Sequence, residues 1–146
     1  MFTRSLFLAL ITAAALLAQP KVDPINKNRS GVAIEGHDAV AYFTDGKSVK
    51  GDPKLSYQWE GAVWLFATDA HREEFSHAPA KYAPQYGGYC AYAVSEGYTA
   101  KIDPEAWKVI NGKLYLNYSK SVQATWQKER ERRISAAEKN WPSLHR

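Results

Sequence analysis

The groups in this 146-residue chain that could bind a soft metal or do redox chemistry are few: one cysteine, Cys90, and four histidines, His37, His71, His77 and His145. A solitary cysteine has no partner for a disulfide within its own chain. Spacing assembles no site from this set. His71 and His77 stand ~600° of helical rotation apart, so a helix carrying both would point them from different faces. Glu73 and His77 have the i, i+4 spacing, but such a pair on a surface helix is commonly just solvated. His37 precedes Asp38, a carboxylate able to orient its ring; the alternative is an exposed turn histidine. His145 falls in the final residues, where fraying is expected.

Cys90 itself allows three readings. It can be a small buried residue among aromatic neighbours, since free cysteine is one of the most buried residue types. It can be a soft-metal ligand, with His37 or His71 brought close by the fold. It can also be a redox-active thiol or an intermolecular disulfide partner, both open to an odd cysteine in an oxidising compartment. Gly87 and Gly88, just before it, permit close backbone approach or positive φ, which suits a site mouth or a plain turn. No catalytic constellation is recognised. The chain has no phosphate loop, HExxH or CxxC, and nothing in the spacing predicts a Cys–His dyad.

The compartment follows from the first twenty residues, MFTRSLFLALITAAALLAQP. Arg4 precedes an apolar-rich run from Leu6 to Ala18 that is too short for a membrane span of roughly 20 residues and suits the core of a secretory signal. Residues 1–18 are therefore read as a signal peptide cut after Ala18, with a cut after Ala15 as the alternative because Leu16 breaks the small-residue rule. The expected location is periplasmic or secreted, with no membrane span left after cleavage. Removing Arg4 takes Lys plus Arg from 19 to 18 against 15 Asp plus Glu, a mild excess. The basic run KERERR, residues 128–133, alternates with acids and reads as a solvated helix face, which argues against nucleic acid as a partner. Aromatic residues make up 13% of the chain, with five Trp and nine Tyr, so a small core filled by large rings is expected in place of disulfides.

The elements that must position these residues are legible in outline. Residues 19–30 form a polar leader with two prolines, and residues 31–144 read as a single domain. Val32 to Ile34 and Ala39 to Phe43 are short apolar runs separated by Gly36-His37-Asp38, a strand and turn signal. SYQWEGAVWLFAT reads as a hairpin turning at Glu60-Gly61. Thr68 caps a short helix, DAHREEFSHA, that ends at Pro79. If the Cys90 stretch is a strand, Cys90, Tyr92 and Val94 share one face and Tyr89, Ala91 and Ala93 the other. WKVINGKLYLNYS is a second hairpin, turning at Asn111-Gly112. A single helix then carries Val122, Trp126, Arg130, Ile134 and Ala137 near one side, until Pro142 stops it. The sum is α+β: a small antiparallel sheet with a short central helix and a longer C-terminal helix.

The run from Phe66 to Phe75, followed by Pro79 and Tyr82, resembles the core of the YHS domain family. Gly36-His37-Asp38-Ala39-Val40-Ala41-Tyr42-Phe43 resembles the Asp-Pro-Val-Cys segment that opens that domain. YAPQYGGYCAYAVSEG and INGKLYLNYSKSV are similar to exported bacterial members, so the resemblance spans residues 31–144. It implies a soft-metal binding or handling accessory protein, since paired cysteines in the family are usually taken as metal ligands. This chain departs at those positions: Ala41 and Ala67 stand where the family often has cysteine, and His71 where it often has the second helical cysteine. Imidazole keeps some coordinating power for copper or zinc; alanine keeps none. The expected metal residues are thus Cys90, His37 and His71, with copper or zinc as the ion. The alternative is a metal-free module that binds a small ligand or another exported protein through an aromatic surface.

Overall fold

A computed structural model describes residues 20–146, so the signal-peptide reading of residues 1–18 lies outside the described residues. Among the described residues the fold is α+β, with six α-helices and two antiparallel hairpins. The hairpins form separate two-stranded sheets, where the sequence suggested one small sheet. In the first, β1 (Asp52–Trp59) pairs with β2 (Ala62–Phe66), placing Trp59 opposite Ala62 and Tyr57 opposite Trp64. In the second, β3 (Asp103–Ile110) pairs with β4 (Lys113–Asn117). Both turns have positive φ at their two central residues, 51° and 72° at Glu60-Gly61 and 51° and 73° at Asn111-Gly112. That conformation matches the right-handed twist of the strands it joins.

Helices make up most of the remaining regular structure among the described residues. The run Ala39 to Phe43, expected to be extended, instead turns into α1 (Ala41–Thr44). The reason is Asp38, whose Oδ1 accepts hydrogen bonds from the Val40 and Ala41 amides and so satisfies the donors of a helix start. Thr68 caps α2 (Asp69–His77) by accepting from the His71 amide. Pro79 ends α2 and opens α3 (Pro79–Tyr82), a position where its missing N–H is no loss.

The Cys90 stretch is also helical: Cys90 immediately precedes α4 (Ala91–Ser95), correcting the strand reading. Asn117, at the end of β4, supplies the cap from a distance, its Oδ1 accepting the Tyr92 amide at 3.1 Å. No local sequence pattern announces a cap that arrives from 25 residues downstream.

The C-terminal helix is two helices, α5 (Lys120–Lys128) and α6 (Arg130–Leu144), broken at Glu129 with φ −129° and ψ 34°. Trp126 is fully buried and packs on Tyr115, while Arg133 and Ala137 of α6 are buried further along. Arg133 reaches α4, and the bend at Glu129 lets both helices find their partners. Pro142 lies inside α6 and does not stop it; it stands in the last turn, where its missing N–H gives up one intrahelical bond and only Ser143 and Leu144 follow.

Large rings do fill the core. Trp64, Phe66 and Phe75 are fully buried, with Phe75 of α2 standing 5.0 Å from each of the two hairpin rings. Fully burying side chains of this size contributes about 1.5–3 kcal/mol apiece. The leader segment is fastened to this body. Ile25 is buried, the Asn26 amide donates to Gly87 O at 2.8 Å, and the Val22 amide donates to Leu144 O at 3.0 Å. Among the described residues no helix is long and apolar enough to cross a membrane.

Candidate functional site

Asp38 is the centre of a buried polar cluster. Its carboxylate is fully buried and accepts four hydrogen bonds. Oδ1 takes the Val40 and Ala41 amides at 2.9 and 3.1 Å; Oδ2 takes the Ala67 amide at 2.9 Å and His71 Nδ1 at 2.7 Å. Three elements converge here: the start of α1, the end of β2 and the first turn of α2. Burying a carboxylate is affordable only when its lone pairs are satisfied in this way.

The consequence falls on His71. With Nδ1–H donated to Asp38, the ring is fixed in orientation and Nε2 becomes the free acceptor. Nε2 faces the surface end of α1, 3.2 Å from Thr44 Oγ1 and 3.7 Å from Asp45 Oδ1. The His71 side chain is 12% exposed and that of Asp45 is 38% exposed, so the cluster runs from a dry interior to an open rim. The resemblance would place thiols at positions 41, 67 and 71, and the backbone amides of Ala41 and Ala67 join the His71 ring on this one carboxylate.

An aspartate, a histidine and a hydroxyl in series invite comparison with an acyl-transfer triad. The rim argues against that chemistry. Thr44 Oγ1 is 2.9 Å from Asp45 Oδ1 and 3.3 Å from Val40 O, both competing with His71 for its single proton. The same Asp45 carboxylate would repel an oxyanion forming at Thr44.

The other expected site residues lie apart from this cluster. His37 does not receive the Asp38 carboxylate that follows it in sequence; its Nδ1 lies 3.1 Å from Glu35 O, and its backbone bridges to Lys50. His77 is paired loosely with Glu73, at 3.8 Å, on an exposed face. Cys90 is 1% exposed. Its Sγ donates to Asn117 Oδ1 at 3.7 Å and accepts from the Tyr118 amide at 3.3 Å, so no histidine stands among its hydrogen-bonding partners. Burial pushes the thiol pKa up despite hydrogen bonds with the backbone that pull it down. The glycines before it serve the leader: Gly87 has φ 62°, and a Cβ there would come within 1.8 Å of Pro24 O. Among the described residues no three His, Cys, Asp or Glu side chains are grouped so as to enclose a metal ion.

The basic run at the α5–α6 junction holds a second surprise. Arg133, read as part of a solvated face, is buried; it donates to Glu96 Oε1 at 2.7 Å and to Ser95 Oγ at 2.9 Å, and lies 4.0 Å from the Tyr92 ring. Burial alone would lower its pKa, but the Glu96 bond and the charges of Glu96 and Glu129 carry it upward.

Asp38 as the orienting residue for His71 was not anticipated. The Asp-x-Val-Ala order hints at a helix cap, but a pairing across 33 residues leaves no local signal. No family model, no curated protein and no solved structure matches the chain.

Proposed function

We propose that this is an exported, YHS-like accessory protein that handles a copper or zinc ion, and that His71 is the residue through which it does so. The single observation carrying this reading is the 2.7 Å bond from His71 Nδ1 to the buried Asp38 carboxylate. Metal-ligating histidines nearly always give their second N–H to such a partner, which fixes the tautomer and raises the basicity of the nitrogen left free.

The donor set at the rim fits a borderline ion. Two donors about 2.0–2.2 Å from a tetrahedral ion stand roughly 3.4 Å from each other. His71 Nε2 and Asp45 Oδ1 are 3.7 Å apart, with Thr44 Oγ1 beside both. Imidazole plus carboxylate favours zinc or copper(II) over copper(I), which prefers the thiolates this site lacks. Two protein donors with water completing the shell make a weak, open site, suited to passing an ion on. The motif order over residues 31–144 and the signal-like start supply the rest of the reading.

Equilibrium dialysis of the mature chain against zinc and copper(II) tests the proposal. One ion per chain is expected, lost in His71→Ala, weakened in Asp45→Asn and retained in Cys90→Ser. Equal binding by the wild type and His71→Ala would remove the assignment.

A further inference from the structure

A groove of about 380 Å³ opens on the side of the molecule where the leader, the turn after α3 and the end of α6 meet. Its lining brings together Trp59 from the first hairpin, Tyr86 from the glycine turn and Trp141 from α6. Tyr86 and Trp141 stand edge to face, 6.4 Å between ring centroids, and His145 stacks on Trp141 at 4.2 Å. The groove holds no lysine or arginine in its lining, but it holds two carboxylates, Glu60 and Glu138. Among the described residues neither of these is ion-paired, although the chain as a whole carries a net charge of +4. Lys27 of the leader, beside the hairpin turn, spends its amine on Gly61 O at 2.9 Å and on Asp23 at 3.8 Å.

We infer that this groove is a binding site for a small quaternary ammonium ion. Two features select that class. Electron-rich ring faces attract a cation within about 6 Å of their centroids, most strongly when it is weakly hydrated. The unpaired carboxylates give the groove a sign opposite to that of the rest of the protein, so a neutral or anionic guest gains nothing from them. The site shares no residue with the Asp38–His71 cluster and stands whether or not that cluster takes a metal.

The test uses choline and its uncharged carbon isostere, in which a tert-butyl group replaces the trimethylammonium. Each is titrated into the mature chain while the indole N–H signals are followed by NMR; the buried Trp126, outside the groove, serves as the internal control. Choline is expected to shift the Trp59 and Trp141 signals saturably, and the isostere to bind about tenfold more weakly. Glu138→Gln, an exposed change that leaves the fold alone, is expected to weaken choline by about fivefold. Equal affinity for the isostere, the absence of a saturable shift at Trp59 and Trp141, or unaltered affinity in both Glu138→Gln and Glu60→Gln would overturn the inference.

Discussion

Replacing Asp38 by asparagine keeps the shape of the side chain and changes only what its second atom offers. In the wild type Oδ2 accepts from the Ala67 amide at 2.9 Å and from His71 Nδ1 at 2.7 Å. In Asp38→Asn the amide Nδ2 occupies that place and meets two donors. His71 can answer by moving its proton to Nε2, so that Nδ1 accepts from the new amide; the Ala67 N–H cannot. One stranded donor costs about 1–3 kcal/mol, and the remaining bonds fall from charge-assisted to neutral strength. The desolvation that asparagine avoids offsets part of this, leaving about 2–4 kcal/mol. With an m value of about 2 kcal/mol/M, the urea midpoint should fall by roughly 1–2 M at unchanged slope. Nitrogen-15 spectra of the imidazole should report the tautomer change in the same sample. The same proton then blocks the donor facing Asp45, so zinc affinity should fall by about 10–100-fold although Asp38 touches no ion. A variant as stable as wild type, with His71 still protonated at Nδ1, would refute the reasoning.

Three further outcomes are expected. Arg133→Met should destabilise the chain by about 1–3 kcal/mol in urea unfolding, less than a fully buried pair would, because Glu96 and Glu129 are 45% and 50% exposed and can be rehydrated; a loss under about 0.3 kcal/mol would contradict the anchoring role given to Arg133. Gly87→Ala combines a φ of 62° with a clash against Pro24 O and should lose more than about 3 kcal/mol, whereas Gly112→Ala, with φ 73° and open space around it, should lose about 1 kcal/mol; equal losses would show that the leader is not seated on Gly87. Burial holds the Cys90 thiol and the Tyr42 and Tyr86 phenols above their ordinary values of 9.0 and 10.0, so above those values the folded state keeps protons that the unfolded chain releases. Their contribution to stability is whole below about pH 9 and falls as pH rises further; the urea midpoint should decline from there, less steeply in Tyr86→Phe, and a rising midpoint would reverse the sign.

What was legible in the sequence was local. Glu60-Gly61 and Asn111-Gly112 announce their hairpins because the turn conformation is chosen by two adjacent residues. Thr68 and Pro79 bound α2 for the same reason. The misreadings share a different cause. Asp38 turns an apolar run into α1, and Asn117 caps the helix after Cys90, each with a side chain whose decisive partners include distant residues. The bend at Glu129 exists because Trp126 and Arg133 answer to different neighbours, Tyr115 and Glu96. The candidate site divides likewise. His71 was singled out as a residue type able to bind metal, but its orientation by Asp38 is a tertiary fact. Cys90 drew attention by being alone, and the fold gives its sulfur Asn117 and Tyr118 for partners. Of the GG pair before it, read as a site mouth or a turn, Gly87 seats Pro24 and Gly88 lies against Ile34 and Pro84.

The central claim is that His71 Nε2, held ready by Asp38, is the donor that meets the ion. Long-range proton–nitrogen spectra of the four imidazoles, recorded before and after one equivalent of zinc, address it directly. The account predicts Nδ1 protonated and Nε2 bare in the His71 ring, with Nε2 alone shifting on zinc addition while His37, His77 and His145 stay in place. A His71 ring unmoved by zinc, or a shift at any other histidine in its stead, would contradict it.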